Sequence, residues 1–311
     1  MATTKQTTKT HAARALRALA LCLTLPLSPT ADARAQAGPV VPLAERQASD
    51  GIALAPARFE LEMPPGSETT VVVNLDYHSA KAGAQPSRIL ASLNDWTLNR
   101  DGELEFFRAG TLAGSASPWL IYSPAEVVVT PGSTHSIRVT VTVPKDATPG
   151  DHLAALVVEQ RPDTIKLSQN ARQMLLRFRM AALFYIKVPA LTRGGSLAGL
   201  KAAAEGEGVL VTPTLRNAGN SVVRPLTALT ISDAAGRVVA ELPEAESLPV
   251  LANSELSRPV RVPKQLAPGL YTVKYRVDFQ GHGETTEGVT ELVIKDAPAD
   301  PPLAATEASR P

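Results

Sequence analysis

The chain has very little cysteine, few aromatic side chains and almost no net charge. Of its 311 residues one is cysteine, 4% are aromatic, and the formal net charge is +1. A single cysteine cannot form a disulfide within the chain or a cysteine-rich metal site. The absence of a basic block argues against nucleic acid as a partner. Proline is abundant instead, with 26 residues, and predicts many turns and few long helices.

The first residues have the pattern of a secretory signal peptide. Basic residues without any acid precede an apolar run at 18–27, and Ala35 and Ala37 offer a small-residue cleavage site. The run is too short to span a bilayer, which needs about 20 apolar residues. We predict a signal peptide over 1–37 and a flexible lead-in over 38–50. The protein would then be exported, to the periplasm in a cell with two membranes, without stable insertion in a membrane.

The remaining chain has the pattern of an all-β protein. Short runs rich in valine, isoleucine, leucine and threonine are bounded by proline, glycine and asparagine, which is typical of a β-sandwich. They lie at 69–75, 87–93, 126–130, 136–143 and 153–159. Residues 136–143 alternate apolar and polar side chains, which predicts one buried face. A helical turn or two is predicted only at 196–205.

An internal repeat predicts two domains. A Val-Pro-Lys motif followed by Pro-Gly occurs at 143–150 and again, 119 residues later, at 262–269. Because proline and glycine mark turns between strands, the two copies are interpreted as the same corner of two related sandwiches. We predict domains over 51–190 and 191–296, followed by a disordered tail over 297–311.

The sequence shows no set of residues typical of catalysis. No nucleophile elbow, phosphate-binding loop or dinucleotide motif occurs. The histidines outside the signal peptide are isolated: His78, His135, His152 and His282. We therefore predict a non-enzymatic protein without metal or cofactor.

Two tryptophans and nearby acids allow a second interpretation. Trp96 and Trp119 are expected in the core, although acids close to Trp96 also suggest a carbohydrate site. The Asp101-Gly102 pair is better explained as the turn of a β-hairpin.

The longest strand-like segment covers residues 174–188. At period two, one face carries Leu176, Phe178, Met180, Ala182 and Phe184, and Arg179 lies on the other face. Strands are usually only about 5 to 6 residues long, so part of this one should extend past its own sandwich. Two interpretations remain open: a template to which a partner adds a strand, or a bent strand that serves both sheets or crosses into the second domain.

Short motifs in the first domain resemble the N-terminal immunoglobulin-like domain of PapD-like periplasmic chaperones, which assist assembly of pili and related surface fibres. They are residues 56–59 with 71–74, residues 123–139, and Arg179 with the Leu-Phe-Tyr run at 183–185. The resemblance implies two immunoglobulin-like sandwiches in tandem. It also implies that the last strand of the first domain donates alternate apolar residues to a secreted subunit.

Carried over by position, the resemblance implies a donor strand of Leu176, Phe178, Met180, Ala182 and Phe184. Arg58 matches an arginine that anchors the subunit's terminal carboxylate. The expected second cation, a lysine before the Leu-Phe-Tyr run, is absent because Ala182 stands there. Lys187 or Arg179 could replace it only in a different register.

The partners implied are secreted pilus or surface-fibre subunits and an outer-membrane usher. A weaker resemblance, through residues 149–159, is to β-sandwich domains of WxL-interacting surface proteins. The alternative function is therefore a non-catalytic periplasmic or cell-surface scaffold that contacts cell wall or surface proteins.

Overall fold

The computed structural model describes residues 51–79, 82–161 and 178–295. Several expectations fall outside these residues: the signal peptide with Ala35 and Ala37, the lead-in 38–50, Leu176 and the tail 297–311. The described chain consists of β-strands and one short 3-10 helix, Ser117–Trp119, which confirms the predicted all-β class. Within the three described ranges, no helix is long and apolar enough to cross a membrane.

The first part of the chain forms two β-sheets. Its strands are β1 (Gly51–Ala55), β2 (Arg58–Glu62), β3 (Glu68–His78), β4 (Ser87–Leu98), β5 (Leu104–Arg108), β6 (Leu120–Ser123), β7 (Glu126–Val129), β8 (Thr134–Thr142), β9 (Gly150–Arg161) and β10 (Arg179–Val188). One sheet has the order β1-β3-β8-β6. The other has the order β2-β10-β9-β4-β5, with β7 also paired to β4. Strands β2 and β10 are parallel, whereas β10 and β9 are antiparallel.

The core of this first sandwich follows from side-chain alternation. Ile137, Val139 and Val141 of β8 are buried, and they belong to one apolar cluster with Leu156 of β9 and Phe184 of β10. Successive side chains of a strand point to opposite faces. The predicted buried face of residues 136–143 is therefore confirmed.

The second part of the chain forms another pair of sheets. Its strands are β11 (Gly195–Glu205), β12 (Gly208–Asn217), β13 (Leu226–Asp233), β14 (Val238–Glu246), β15 (Ser254–Leu256), β16 (Val260–Val262), β17 (Gly269–Asp278) and β18 (Thr286–Ile294). One sheet contains β11-β12-β15 with β16 also on β12, and the other has the order β14-β13-β17-β18. A second core includes Val211, Ile231 and Val273. The fold is thus two tandem immunoglobulin-like β-sandwiches, as predicted, whereas the domain limits 51–190 and 191–296 stay predictions.

The predicted helical turn at 196–205 is wrong, because these residues form the edge strand β11. The spacing of Leu197 and Leu200, three apart, fits one face of a helix. In the structure a register irregularity lies between Leu197 and Gly199. The extra residue of such a bulge brings both leucines to one face of the strand, where they pack against the second core.

The repeated Val-Pro-Lys…Pro-Gly corners occupy equivalent places in the two sandwiches. β8 ends just before the first copy and β9 begins at Gly150, whereas β16 ends at Val262 and β17 begins at Gly269. Each corner carries the chain from one sheet of its sandwich to the other. The interpretation of the repeat as a shared strand corner is therefore confirmed.

The two sandwiches contact each other through an apolar cluster, here called the junction cluster. Its buried members are Trp96, Ala155, Val157, Tyr185, Val222 and Leu251. The rings of Trp96 and Tyr185 meet edge to face with centroids 5.0 Å apart, a favourable arrangement for aromatic pairs. Trp96 is only 1% exposed, which confirms it as a core residue. Its buried ring is not accessible for stacking against a sugar.

The turn between β4 and β5 also contacts the second sandwich. Arg100 forms an ion pair with Glu255 at 3.0 Å, and the Ser257 amide donates to the Arg100 carbonyl at 2.6 Å. Gly102 adopts φ +78°, and a Cβ placed there would lie 2.7 Å from Leu248 Cδ1. The predicted Asp101-Gly102 hairpin is confirmed, and its tip additionally helps to join the sandwiches.

Asn220 fastens the connection between β10 and β11. Its Oδ1 accepts from the Thr192 amide at 2.6 Å, and its Nδ2 donates to the carbonyls of Pro149 and Ala190 at 3.2 and 3.3 Å. The Asp151 amide donates to the Asn220 carbonyl at 2.8 Å. One side chain thereby links the β8–β9 corner of the first sandwich to the second.

Candidate functional site

The predicted donor side chains on and just before strand β10 differ in exposure. Ala182 and Phe184 are fully buried in the core of the first sandwich, and Met180 is half-buried against the same core. The ring of Phe184 stacks on Phe59 of β2, with centroids 4.8 Å apart. Phe178, just before the strand, is 61% exposed. Of the described donor residues named from the sequence, Phe178 and Met180 are therefore the ones that offer surface to a partner.

The two edges of β10 are paired to different extents. Along one edge the whole strand, Arg179–Val188, pairs with β9. Along the other edge β2 pairs only with residues 183–187. Among the described parts of the chain, no strand pairs with that edge at residues 179–182. We call this stretch, together with Phe178, the open edge.

Arg58 lies where the open edge ends. It is the first residue of β2, and it faces Leu183 across the parallel pair. The Leu183 amide donates to the Ala57 carbonyl at 2.9 Å, so pairing begins immediately at this point. The Arg58 side chain is 54% exposed. A strand that pairs with the open edge in the direction of β2 therefore ends beside the Arg58 guanidinium.

Three cations surround one carboxylate next to this point. Glu60 Oε2 lies 2.7 Å from Lys187 Nζ, and Glu60 Oε1 lies 2.8 Å from Arg224 Nη2 and 3.4 Å from Arg58 Nε. We call these four residues the Glu60 cluster. Burial alone would raise the pKa of Glu60, but the Lys187 hydrogen bond and the three positive charges lower the pKa overall. At neutral pH the cluster carries a net charge of about +2.

Arg224 joins the second sandwich to this cluster. It follows Val223, a residue of the second core, and its guanidinium carbon lies 5.5 Å from the centroid of the Tyr185 ring, within range of a cation–π contact. Burial raises the pKa of Tyr185, and the Arg224 charge partly opposes this. The phenol is therefore neutral near pH 7.

The sequence identified only part of this arrangement. Arg58 was a candidate, and Lys187 was considered only for a different register. The structure places Lys187 on Glu60, whereas Arg179 lies near Glu159 at 3.7 Å. Glu60 and Arg224 were missed. Glu60 could have been found because it lies two residues after Arg58 and therefore on the same face of β2. Arg224 is 164 residues away from Glu60, and no local sequence pattern pairs the two.

A buried carboxylate, that of Asp95, has a structural role. Its oxygens accept from the amides of Gly110, Thr111 and Leu112 and from the hydroxyls of Ser115 and Ser117, at 2.5–3.1 Å. Burial acts to raise its pKa, but these hydrogen bonds lower the pKa below its ordinary value of 3.8. Since every contact is to the chain's own loop, Asp95 holds that loop on β4.

The described residues provide no metal site. They contain no group of three or more histidine, cysteine or acidic side chains that could hold an ion. His152 packs on Trp119 with ring centroids 4.4 Å apart. Burial, and then the Arg193 charge, lowers the pKa of His282.

Comparisons with known proteins give similarity at the level of solved structures. No protein-family model matches the chain, and no curated protein sequence matches it. Solved PapD-like fimbrial chaperones, in contrast, are similar over most of its length. The class 5 fimbriae chaperone CfaA is 13% identical, with 78% of this chain and 100% of that chain covered and a TM-score of 0.38.

Two chaperone–subunit complexes are similar to the same extent. The chaperone-tip adhesion subunit complex CsuC–CsuE from Acinetobacter baumannii gives 16% identity and a TM-score of 0.39, with 78% of this chain and 97% of that chain covered. The Salmonella enterica SafA pilin in complex with the SafB chaperone gives 14% identity and a TM-score of 0.37, with 77% of this chain and 96% of that chain covered. At these values the similarity does not bear on function, which must be argued from the residues of this chain.

Proposed function

We propose that this protein is a non-enzymatic periplasmic chaperone that binds secreted pilus or surface-fibre subunits by β-strand pairing at the open edge of β10. The observation that carries the proposal is the unequal pairing of β10: β2 pairs with residues 183–187, and no other described strand pairs with that edge at residues 179–182. An unpaired edge beside an exposed apolar side chain is a site that soluble proteins normally protect.

The open edge supplies the two contributions typical of strand addition. The backbone amides and carbonyls of Arg179 and Ala181 point away from β9, in phase with Leu183, and offer main-chain hydrogen bonds. Phe178 offers an apolar side chain. Full burial of a phenylalanine contributes about 1.5 to 3 kcal/mol, so covering a side chain that is 61% exposed should contribute about 1 to 2 kcal/mol. Leu176, which lies outside the described residues, stays among the proposed donor residues.

Arg58 supplies the orientation of the partner strand. A strand that continues the line of β2 runs parallel to β10, so its C-terminus meets the Arg58 guanidinium. An exposed guanidinium binds a carboxylate through two parallel hydrogen bonds. We propose that the subunit's terminal carboxylate binds here, without the second cation that the resemblance would place at Ala182. We also propose that the protein delivers the bound subunit to an outer-membrane usher.

The test is capture of a subunit by the tagged protein in the periplasm of its own host. The wild-type chain should give one-to-one complexes with an exported β-rich protein that precipitates when separated. Phe178→Asp places a charge in an apolar contact and should reduce the yield of complex at least about tenfold. Val289→Asp is the matched control, because Val289 is 60% exposed on the second sandwich.

Equal yields from Phe178→Asp and the wild type would contradict strand pairing at the open edge. Binding of the purified wild-type chain to isolated peptidoglycan, unchanged in Phe178→Asp, would instead favour the scaffold alternative.

A further inference from the structure

The Glu60 cluster contains an internal competitor for the proposed carboxylate anchor. Glu60 Oε1 is 3.4 Å from Arg58 but only 2.8 Å from Arg224, and Oε2 is 2.7 Å from Lys187. Charge-assisted hydrogen bonds to a carboxylate are usually about 2.7–2.9 Å long. The shorter contacts thus tie Glu60 to Lys187 and Arg224, and its contact with Arg58 is loose.

Exposure divides the three cations in the same way. The Arg224 and Lys187 side chains are 19% and 14% exposed, whereas Arg58 is 54% exposed. Arg58 is therefore the cation that a partner can reach. We propose that Arg224, from the second sandwich, is a positioning residue that holds Glu60 away from Arg58 and so keeps the Arg58 guanidinium available for a partner's carboxylate. This inference rests on the proposed function, since it concerns the same anchor.

Removing Arg224 and neutralising Glu60 should have opposite effects on the binding of a carboxylate to Arg58. If Arg224 is removed, Glu60 Oε1 loses its nearer cation and pairs more closely with Arg58, which then binds a second carboxylate less well. If Glu60 is neutralised, Arg58 loses its competitor and the local positive charge increases, so an incoming carboxylate binds better. A purely structural role for the cluster would weaken binding in both variants.

The test compares one synthetic peptide of alternating valine and threonine as a free acid and as a C-terminal amide. The ratio of the two dissociation constants measures the anchor alone, because strand pairing contributes equally to both. For the wild-type chain we expect the free acid to bind about fivefold more tightly, in the range of exposed charge pairs. Arg224→Met should reduce the ratio to about one, Glu60→Gln should raise it about twofold, and Arg224→Lys should retain it.

The double variant Glu60→Gln/Arg224→Met distinguishes action through Glu60 from direct attraction. If Arg224 acts by holding Glu60, its loss has little effect once Glu60 is neutral, and the double variant keeps the preference for the free acid. A ratio of about one in the double variant, or a lowered ratio in Glu60→Gln alone, would overturn the inference. Equal binding of acid and amide by the wild type would also overturn it, while leaving strand pairing intact. Binding of neither peptide, together with failure to capture a subunit, would refute both proposals.

Discussion

Replacing Asp95 by alanine should destabilise the first sandwich strongly. The carboxylate is fully buried on β4, where it accepts from three amides and two hydroxyls. The three amides belong to residues 110–112, which are partly or fully exposed, so water can replace the carboxylate there. The hydroxyls of Ser115 and Ser117 lose a charged partner inside the protein. Two hydrogen bonds to a charged group together contribute about 3 to 6 kcal/mol, which is the expected loss in free energy of unfolding.

Urea denaturation followed by circular dichroism measures this loss. Asp101→Ala is the matched control, because Asp101 is an exposed acid in the β4–β5 turn and should change the free energy of unfolding by less than about 0.5 kcal/mol. A loss below about 1 kcal/mol for Asp95→Ala would contradict this role of Asp95, since the buried hydrogen bonds would then contribute almost nothing net.

The dependence on pH provides a second check. The pKa of Asp95 is lower in the folded protein than its ordinary value of 3.8. Its contribution is therefore fully present above the unfolded-state pKa and is lost as pH falls through the folded-state pKa. The stability difference between wild type and Asp95→Ala should be constant near neutrality and shrink in strong acid. A difference that grows as the pH falls below 4 would contradict this.

Two further predictions concern a contact between the sandwiches and a buried amide within the second sandwich. Gly102→Ala should lower the melting temperature more than Gly236→Ala. Both glycines have φ +78°, but only a Cβ at position 102 meets Leu248. Equal shifts in melting temperature would contradict this steric effect. Asn217→Ala should cost about 2 kcal/mol in urea denaturation, because the two hydrogens of the buried Nδ2 are shared among the carbonyls of Ser221, Val250 and Leu251. A loss under about 0.5 kcal/mol would contradict the role of these bonds.

Short runs of strand-forming residues predicted much of the fold. Strands β3, β4, β7, β8 and β9 were located as runs rich in valine, isoleucine, leucine and threonine, and period-two alternation predicted the buried face of β8. The hairpin at Asp101-Gly102 and the two Pro-Gly corners were found because turns need particular residue types. Strand β11 was missed because a bulge changes the spacing of apolar side chains, and spacing alone does not distinguish a bulge from a helical turn.

The candidate site was less predictable because it depends on pairing between distant segments. The period of β10 put Met180, Ala182 and Phe184 on one face, and all three pack in or against the first core. How much of that face remains accessible is decided by where β2 pairs, and no property of residues 178–184 encodes this. Glu60 and Arg224 come together only when the two sandwiches meet, so no local pattern could pair them.

The junction cluster also has a consequence for how the chain unfolds. Tyr185 belongs to β10 and Trp96 to β4, yet both lose their cover if Val222 and Leu251 move away with the second sandwich. Opening either sandwich therefore exposes apolar surface of the other, which couples their stabilities. Despite having two cores, the protein should melt in a single cooperative transition, in which a substitution in one sandwich shifts the melting of both.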